Sequence, residues 1–276
     1  MSNWGKVMKP HLSTNILDWR TYCQEMLIVG KNWRNRDFYD IREMCGHKDS
    51  VYCIQFNGTR VVSGSRDRSV RFWDLKAQDK KSLCTKEIRG HHGSVLCLQY
   101  DHRYLVTGSS DTTIIVSDIT TGKHIHTLQG HLAPVLDVRF NLDWIVSCSK
   151  DCTIRVWDIR SGRLKRTLEG HTAAVNAVHH HEGKIVSASG DCTVKMWDLE
   201  TGRHIRDFLG HTRGLACVQF DGSIVVSGSN DQTIRIWKAA TGECMKILHG
   251  HQDLVRTLCF DDQRIVSGSY DQTIKV

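Results

Sequence analysis

A glycine–histidine pair recurs along this chain at Gly46-His47, Gly90-His91, Gly130-His131, Gly170-His171, Gly210-His211 and Gly250-His251, separated by 44 and then four times by 40 residues. Twenty residues after each histidine stands an aspartate: Asp67, Asp111, Asp151, Asp191, Asp231 and Asp271. Six residues after the first five aspartates come Trp73, Ser117, Trp157, Trp197 and Trp237. A fixed period near 40 residues signals a repeat architecture. One unit cannot bury its own apolar face, so neighbouring units must stack.

Within each unit the apolar residues fall in short β-branched or aromatic runs bounded by turn residues, which reads as strands. In the first unit these are Val51 to Phe56, Arg60 to Ser65 and Ser69 to Trp73. Thr121-Gly122, Ser161-Gly162, Thr201-Gly202 and Thr241-Gly242 mark a turn before a fourth, outer strand. The four extra residues of the first unit fall within Lys76 to Thr85 and lengthen an outer loop. A 40-residue unit with Gly-His early and tryptophan late resembles the WD repeat. That resemblance implies an all-β fold, a β-propeller with one four-stranded blade per repeat. Six repeats are recognisable, starting near 46, 90, 130, 170, 210 and 250, with the sixth truncated.

Composition narrows the class. The net charge is +7, scattered along the chain, which favours anionic partners without choosing among phosphoprotein, nucleic acid and lipid headgroups. No stretch approaches about 18 uninterrupted apolar residues, so no membrane span is expected. Met1 to Pro10 lacks the apolar core of an export signal, and the expectation is a cytoplasmic or nuclear protein. The 11 cysteines are odd in number, and several, such as Cys53, Cys97, Cys217 and Cys259, sit inside apolar strands. They read as reduced thiols. Cys148 and Cys152 lack a matching second pair, and strand alternation separates His179, His180 and His181, so neither a metal site nor any other cofactor is expected.

Histidine, aspartate and serine in each unit invite a catalytic-triad reading. Hydrolysis needs one activated serine with an oxyanion hole, whereas here the constellation recurs from unit to unit. The WD-repeat resemblance implies instead a structural tetrad, which in the third unit is His131, Ser147, Asp151 and Trp157. No catalytic residue is expected.

In a propeller the start of the innermost strand and the turn beside the aspartate share one rim. Counting from each glycine, these are positions +6 and +20: Tyr52 and Arg66, Leu96 and Ser110, Leu136 and Lys150, Asn176 and Gly190, Ala216 and Asn230, Arg256 and Tyr270. Three are cations, three carry hydroxyls and none is acidic, with Arg213 adjoining. Guanidinium groups beside hydroxyls form a receptor for tetrahedral oxyanions. From these residues alone, such a receptor and an ordinary solvated rim both stay open.

The runs Gly93 to Tyr100, Val186 to Asp191 and Gly250 to Arg256 are similar to the β-TrCP family of F-box/WD-repeat substrate adaptors in cullin–RING ubiquitin ligases. The similarity extends from about Asn32-Trp33-Arg34 to Val276. It implies recognition of doubly phosphorylated D-S-G-x-x-S segments on the rim. By position it assigns Tyr52, Arg66, Ser94 and Ser110 to the first phosphoserine, and Arg213 and Gly214 to the second. Lys150, Arg256 and Tyr270 meet the segment's aspartate and backbone, with Leu136, Asn176, Ala216 and Leu254 as lining. Asn230 departs from the serine usual at its place. The resemblance also implies a seven-bladed ring, an N-terminal segment over 1–37 with an F-box remnant and a linker helix, and the propeller over 38–276. A first outer strand is expected from about Phe38 to Met44. Starting at Met1 and stopping mid-strand at Val276, the chain reads as a fragment. The expected partners are phosphorylated proteins and, through an F-box, a Skp-type linker, with membrane and nucleic acid disfavoured. The alternative is a propeller scaffold of another kind, associated with chromatin or RNA.

Overall fold

The computed structural model describes residues 43–77, 83–261 and 263–276. The expected N-terminal segment with its helix, most of the expected first outer strand, and the centre of the lengthened outer loop lie outside these residues.

The described residues form 23 strands, β1 to β23 in chain order, and no helix. In the first sheet β1 (Val51–Asn57), β2 (Arg60–Ser65), β3 (Ser69–Asp74) and β4 (Cys84–Arg89) pair antiparallel in sequence order. Four more sheets repeat this plan. The sixth has three strands, β21 (Val255–Phe260), β22 (Ile265–Ser269) and β23 (Ile274–Lys275). The result is a β-propeller of six blades, as the period predicts. Each inner strand packs beside the next: β1, then β5 (Val95–Tyr100), β9 (Val135–Phe140), β13 (Val175–His181), β17 (Leu215–Phe220) and β21.

Blades adhere through apolar layers built jointly. Val106, Ile114 and Val116 of the second blade pack on Val135, Val138 and Phe140 of the third, and the later interfaces repeat this arrangement. Position +9 adds a polar tie. The Gln55 amide donates to the Tyr100 carbonyl at 3.0 Å and accepts the Tyr100 N–H at 2.7 Å, mimicking a strand partner across the blade boundary. Gln99 does the same to Phe140. Buried backbone groups need such partners, and here a side chain provides them. His180 occupies the +10 place that Phe56, Tyr100, Phe140, Phe220 and Phe260 hold elsewhere, and burial pushes its imidazole down to about 4. Buried thiols behave likewise. Burial pushes those of Cys53 and Cys217 up to about 12, and each Sγ donates to a carbonyl of the next blade.

One interface is bare. Ile54 is 63% exposed, whereas Leu98 at the same place in the second blade is 7% exposed; for Phe56 and Tyr100 the values are 42% and 5%. At the other end Ile274 and Val276 are exposed, at places where Ile234 and Ile236 pack against the sixth blade. Among the described residues no contact joins β21 to β1 in the way that joins the other inner strands. The six blades therefore form an arc whose two ends carry the complementary halves of the interface repeated inside it.

Candidate functional site

The rim is built twice in each blade by devices the repeat supplies. At the start of β1 the register slips: Val51 pairs with Ser65 and Cys53 with Gly64, leaving Tyr52 as the extra residue of a β-bulge. The same slip occurs at Leu96, Leu136, Asn176, Ala216 and Arg256. A bulge bends the strand and re-aims a side chain, so position +6 leaves the ladder in all six blades. Position +20 is pinned from behind. The N–H groups of Arg66, Ser110, Lys150, Gly190, Asn230 and Tyr270 donate to the carbonyls of Ser50, Ser94, Pro134, Ala174, Gly214 and Leu254 at 2.9–3.0 Å.

Beneath these loops lies the tetrad. The Asp151 carboxylate accepts from His131 Nδ1–H at 2.8 Å and from the Leu132 N–H at 2.9 Å. With Nδ1 protonated, Nε2 accepts from Ser147 Oγ–H at 2.9 Å, and that oxygen accepts from Trp157 Nε1–H at 2.9 Å. Every donor and acceptor along the chain is used, as buried polar groups require. Burial holds the His131 imidazole below its ordinary value, against the pull of Asp151. For Asp151 burial opposes the charge, but hydrogen bonds from Thr153, the Leu132 N–H and His131 outweigh it and bring the carboxyl down to about 2. Thr153 is a fifth member that the four-residue expectation omits, donating through Oγ1 to Asp151 at 2.6 Å. A serine or threonine stands two residues after every one of the aspartates, from Ser69 to Thr273, so the signal was present. In the second blade Thr107 takes the serine's part and Ser117 the tryptophan's place. The tetrad thus fixes the backbone of the loops that carry the rim.

The residues expected on the rim divide by exposure. Tyr52, Arg66, Lys150, Arg213, Arg256 and Tyr270 are exposed, and Ser94, Ser110, Leu136, Asn176, Gly214 and Leu254 are half-buried. Ala216 is buried and offers little lining surface. Several are already engaged. Ser110 Oγ accepts the Ser94 N–H at 2.8 Å, Asn176 Nδ2 donates to the Leu215 carbonyl at 2.7 Å, and Arg256 Nη1 reaches the Ala216 carbonyl at 3.4 Å. Gly214 allows a close approach: a Cβ there would lie 3.1 Å from Gly190 Cα. The rim is less purely basic than positions +6 and +20 suggest, because Asp49 and Asp253 stand at +3.

Comparison with known proteins agrees with the repeat. The family model of the WD domain, G-beta repeat, matches residues 39–74, 82–118, 122–158, 162–198, 202–238 and 242–276. Over 69 residues, 25% of this chain and 10% of the relative, the chain is 32% identical to the probable E3 ubiquitin ligase complex SCF subunit sconB of Penicillium rubens. Over 50 residues, 17% of this chain and 8% of the relative, it is 46% identical to the F-box/WD repeat-containing protein lin-23 of Caenorhabditis elegans. The matched segments thus span about a tenth or less of those curated relatives. Among solved structures, the computationally designed Ika8 protein is similar with a TM-score of 0.75 and 34% identity, covering 83% of this chain and 71% of that one.

Proposed function

Since the chain belongs to the WD-repeat family, we propose that it is a non-catalytic substrate receptor of an SCF-type ubiquitin ligase, holding phosphorylated D-S-G-x-x-S segments across the rim. The chemistry of ubiquitin transfer belongs to its partners, and this chain contributes proximity and orientation. The observation that carries the reading is that Arg66, Lys150, Arg213, Arg256, Tyr52 and Tyr270 are exposed, with Ser94 and Ser110 half-buried, at the +6 bulges, the backbone-pinned +20 turns and the residues beside them. Phosphate oxygens take charge-assisted, bidentate bonds from guanidinium groups, and rigid donors lose little entropy on binding. The similarity to SCF subunits supports the ligase context. In the same reading a Skp-type linker is engaged through an F-box, a seventh repeat fills the wedge between the first and sixth blades, and the protein works in the cytoplasm or nucleus.

The test is direct. A D-S-G-x-x-S peptide carrying two phosphoserines is titrated into the protein beside its unphosphorylated twin. Phosphate-dependent binding that weakens with salt is expected. Equal binding of the two peptides overturns the reading.

A further inference from the structure

Beside Arg66 stands a carboxylate that positions +6 and +20 do not include. Asp49 Oδ2 lies 3.7 Å from Arg66 Nε. Two backbone ties bring the pair together. The Arg66 N–H donates to the Ser50 carbonyl at 2.9 Å, and Ser65 Oγ donates to the Asp49 carbonyl at 3.1 Å. Asp49 is itself oriented, because its Oδ1 accepts the Ser50 N–H at 2.8 Å and so leaves Oδ2 turned to the guanidinium. Among the described residues, Lys150, Arg213 and Arg256 have no carboxylate within 4 Å; in the third blade the +3 place beside Lys150 is Ala133. Arg66 is thus the rim cation that carries its own counter-ion. The pair is solvated on both sides, with side chains 60% and 43% exposed, and such pairs are weak enough to exchange partners.

We propose that Asp49 is a built-in competitor for the ligand's anion at Arg66, occupying the guanidinium in the free protein and giving way when a phosphate binds. This rests on the phosphopeptide reading above and refines it. A ligand anion must displace or share Arg66 with a carboxylate and meets that carboxylate's repulsion as it approaches. Both effects lower affinity, and the second slows association, since rim charges act mainly on encounter. An anion too weak to displace Asp49 gains little at this position.

The experiment measures phosphopeptide binding to the wild-type chain, to Asp49→Asn, and to Asp49→Asn in an Arg66→Ala background. Asparagine keeps the bond from the Ser50 N–H and removes only the charge. Asp143→Asn is the control: it makes the same change in net charge at the opposite end of the third blade, where Asp143 pairs with Arg160 at 3.3 Å. The expected result is an affinity for Asp49→Asn higher by about two- to five-fold at low salt, the range of an exposed ion pair. The gain should come largely from faster association, shrink near 1 M salt, and be lost when Arg66 is alanine. An unchanged or lower affinity for Asp49→Asn overturns the proposal. So does an equal gain from Asp143→Asn, or a gain that survives Arg66→Ala. Those outcomes leave the phosphopeptide reading standing; a wild-type chain that ignores phosphate brings down both.

Discussion

Removing one indole from the third blade tests how the tetrad supports the rim. Trp157 is 2% exposed, donates to Ser147 Oγ at 2.9 Å, lies edge-on to His131 with ring centroids 6.3 Å apart, and carries the Arg155 guanidinium over its face. Replacing a buried aromatic of this size by alanine costs about 3–5 kcal/mol in transfer and cavity terms. The hydrogen bond adds less, because Ser147 keeps its donation to His131 and loses only an incoming donor; about 1 kcal/mol is expected. Trp157→Phe, which keeps much of the apolar volume, should therefore cost only about 1–2 kcal/mol. Urea denaturation with unchanged slopes gives both numbers. Hydrogen exchange locates the damage, which should include the Leu132 amide held by Asp151. The reasoning is refuted if Trp157→Ala costs under about 1 kcal/mol, or if Trp157→Phe is as harmful as Trp157→Ala.

Three further outcomes follow from the same geometry. The second blade, with Ser117 where the first, third, fourth and fifth have tryptophan, should exchange its amides faster than the third; equal protection would show that the indole contributes little. Burial holds the imidazoles of His91, His131, His171 and His211 below their ordinary value, and Asp111, Asp151 and Asp231 are brought down to about 2. Unfolded, these groups take up protons at higher pH than they do folded. Stability should therefore be level only between about pH 7 and 8, fall below about 6.5, and fall more steeply from about 4 toward 2; a melting temperature constant from pH 7 to 4 would contradict this. Ile54→Asp should be nearly neutral while Leu98→Asp, at the same place in the next blade, should cost several kcal/mol, since only the second buries a charge without a partner. Equal damage in urea melts would mean that the bare face of β1 is covered in solution.

The repeat made most of this molecule readable in advance. Glycine, histidine and aspartate at fixed offsets recur six times, with tryptophan completing the hydrogen-bonded unit in four of them, and one blade's chemistry therefore described most of the others. What escaped depends on contacts between units or between loops. Gln55 and Gln99 share an offset, yet their role appears only when the next inner strand is laid alongside. The bulge that frees Tyr52 and its equivalents is a matter of pairing register, which the residues at the slip do not announce. Asp49 stands at +3, outside positions +6 and +20; the serine hydroxyl that ties its loop to the Arg66 turn recurs in the third to sixth blades, but that the two loops touch appears only in the folded blade. The exposure of Ile54 and Phe56 was equally hidden: they are ordinary core residues by type, and only the packing of the described blades leaves them exposed where Leu98 and Tyr100 are buried.

The central claim is that rim cations read phosphate, and Arg66 tests it most directly. Binding of the doubly phosphorylated peptide is compared for Arg66→Ala, Arg66→Lys and Arg160→Ala. Arg160 is an exposed cation in a turn at the opposite end of the third blade. Truncating one partner of a desolvated charge pair costs about 2–5 kcal/mol, so Arg66→Ala should weaken binding at least thirty-fold, roughly, with the melting temperature nearly unchanged. Lysine should restore only part of the affinity, because a point charge does not copy the planar fork. Arg160→Ala should bind as the wild type does. If Arg66→Ala binds the phosphopeptide as tightly as the wild type, or if Arg160→Ala is equally harmful, the rim does not recognise phosphate through Arg66 and the receptor account is wrong.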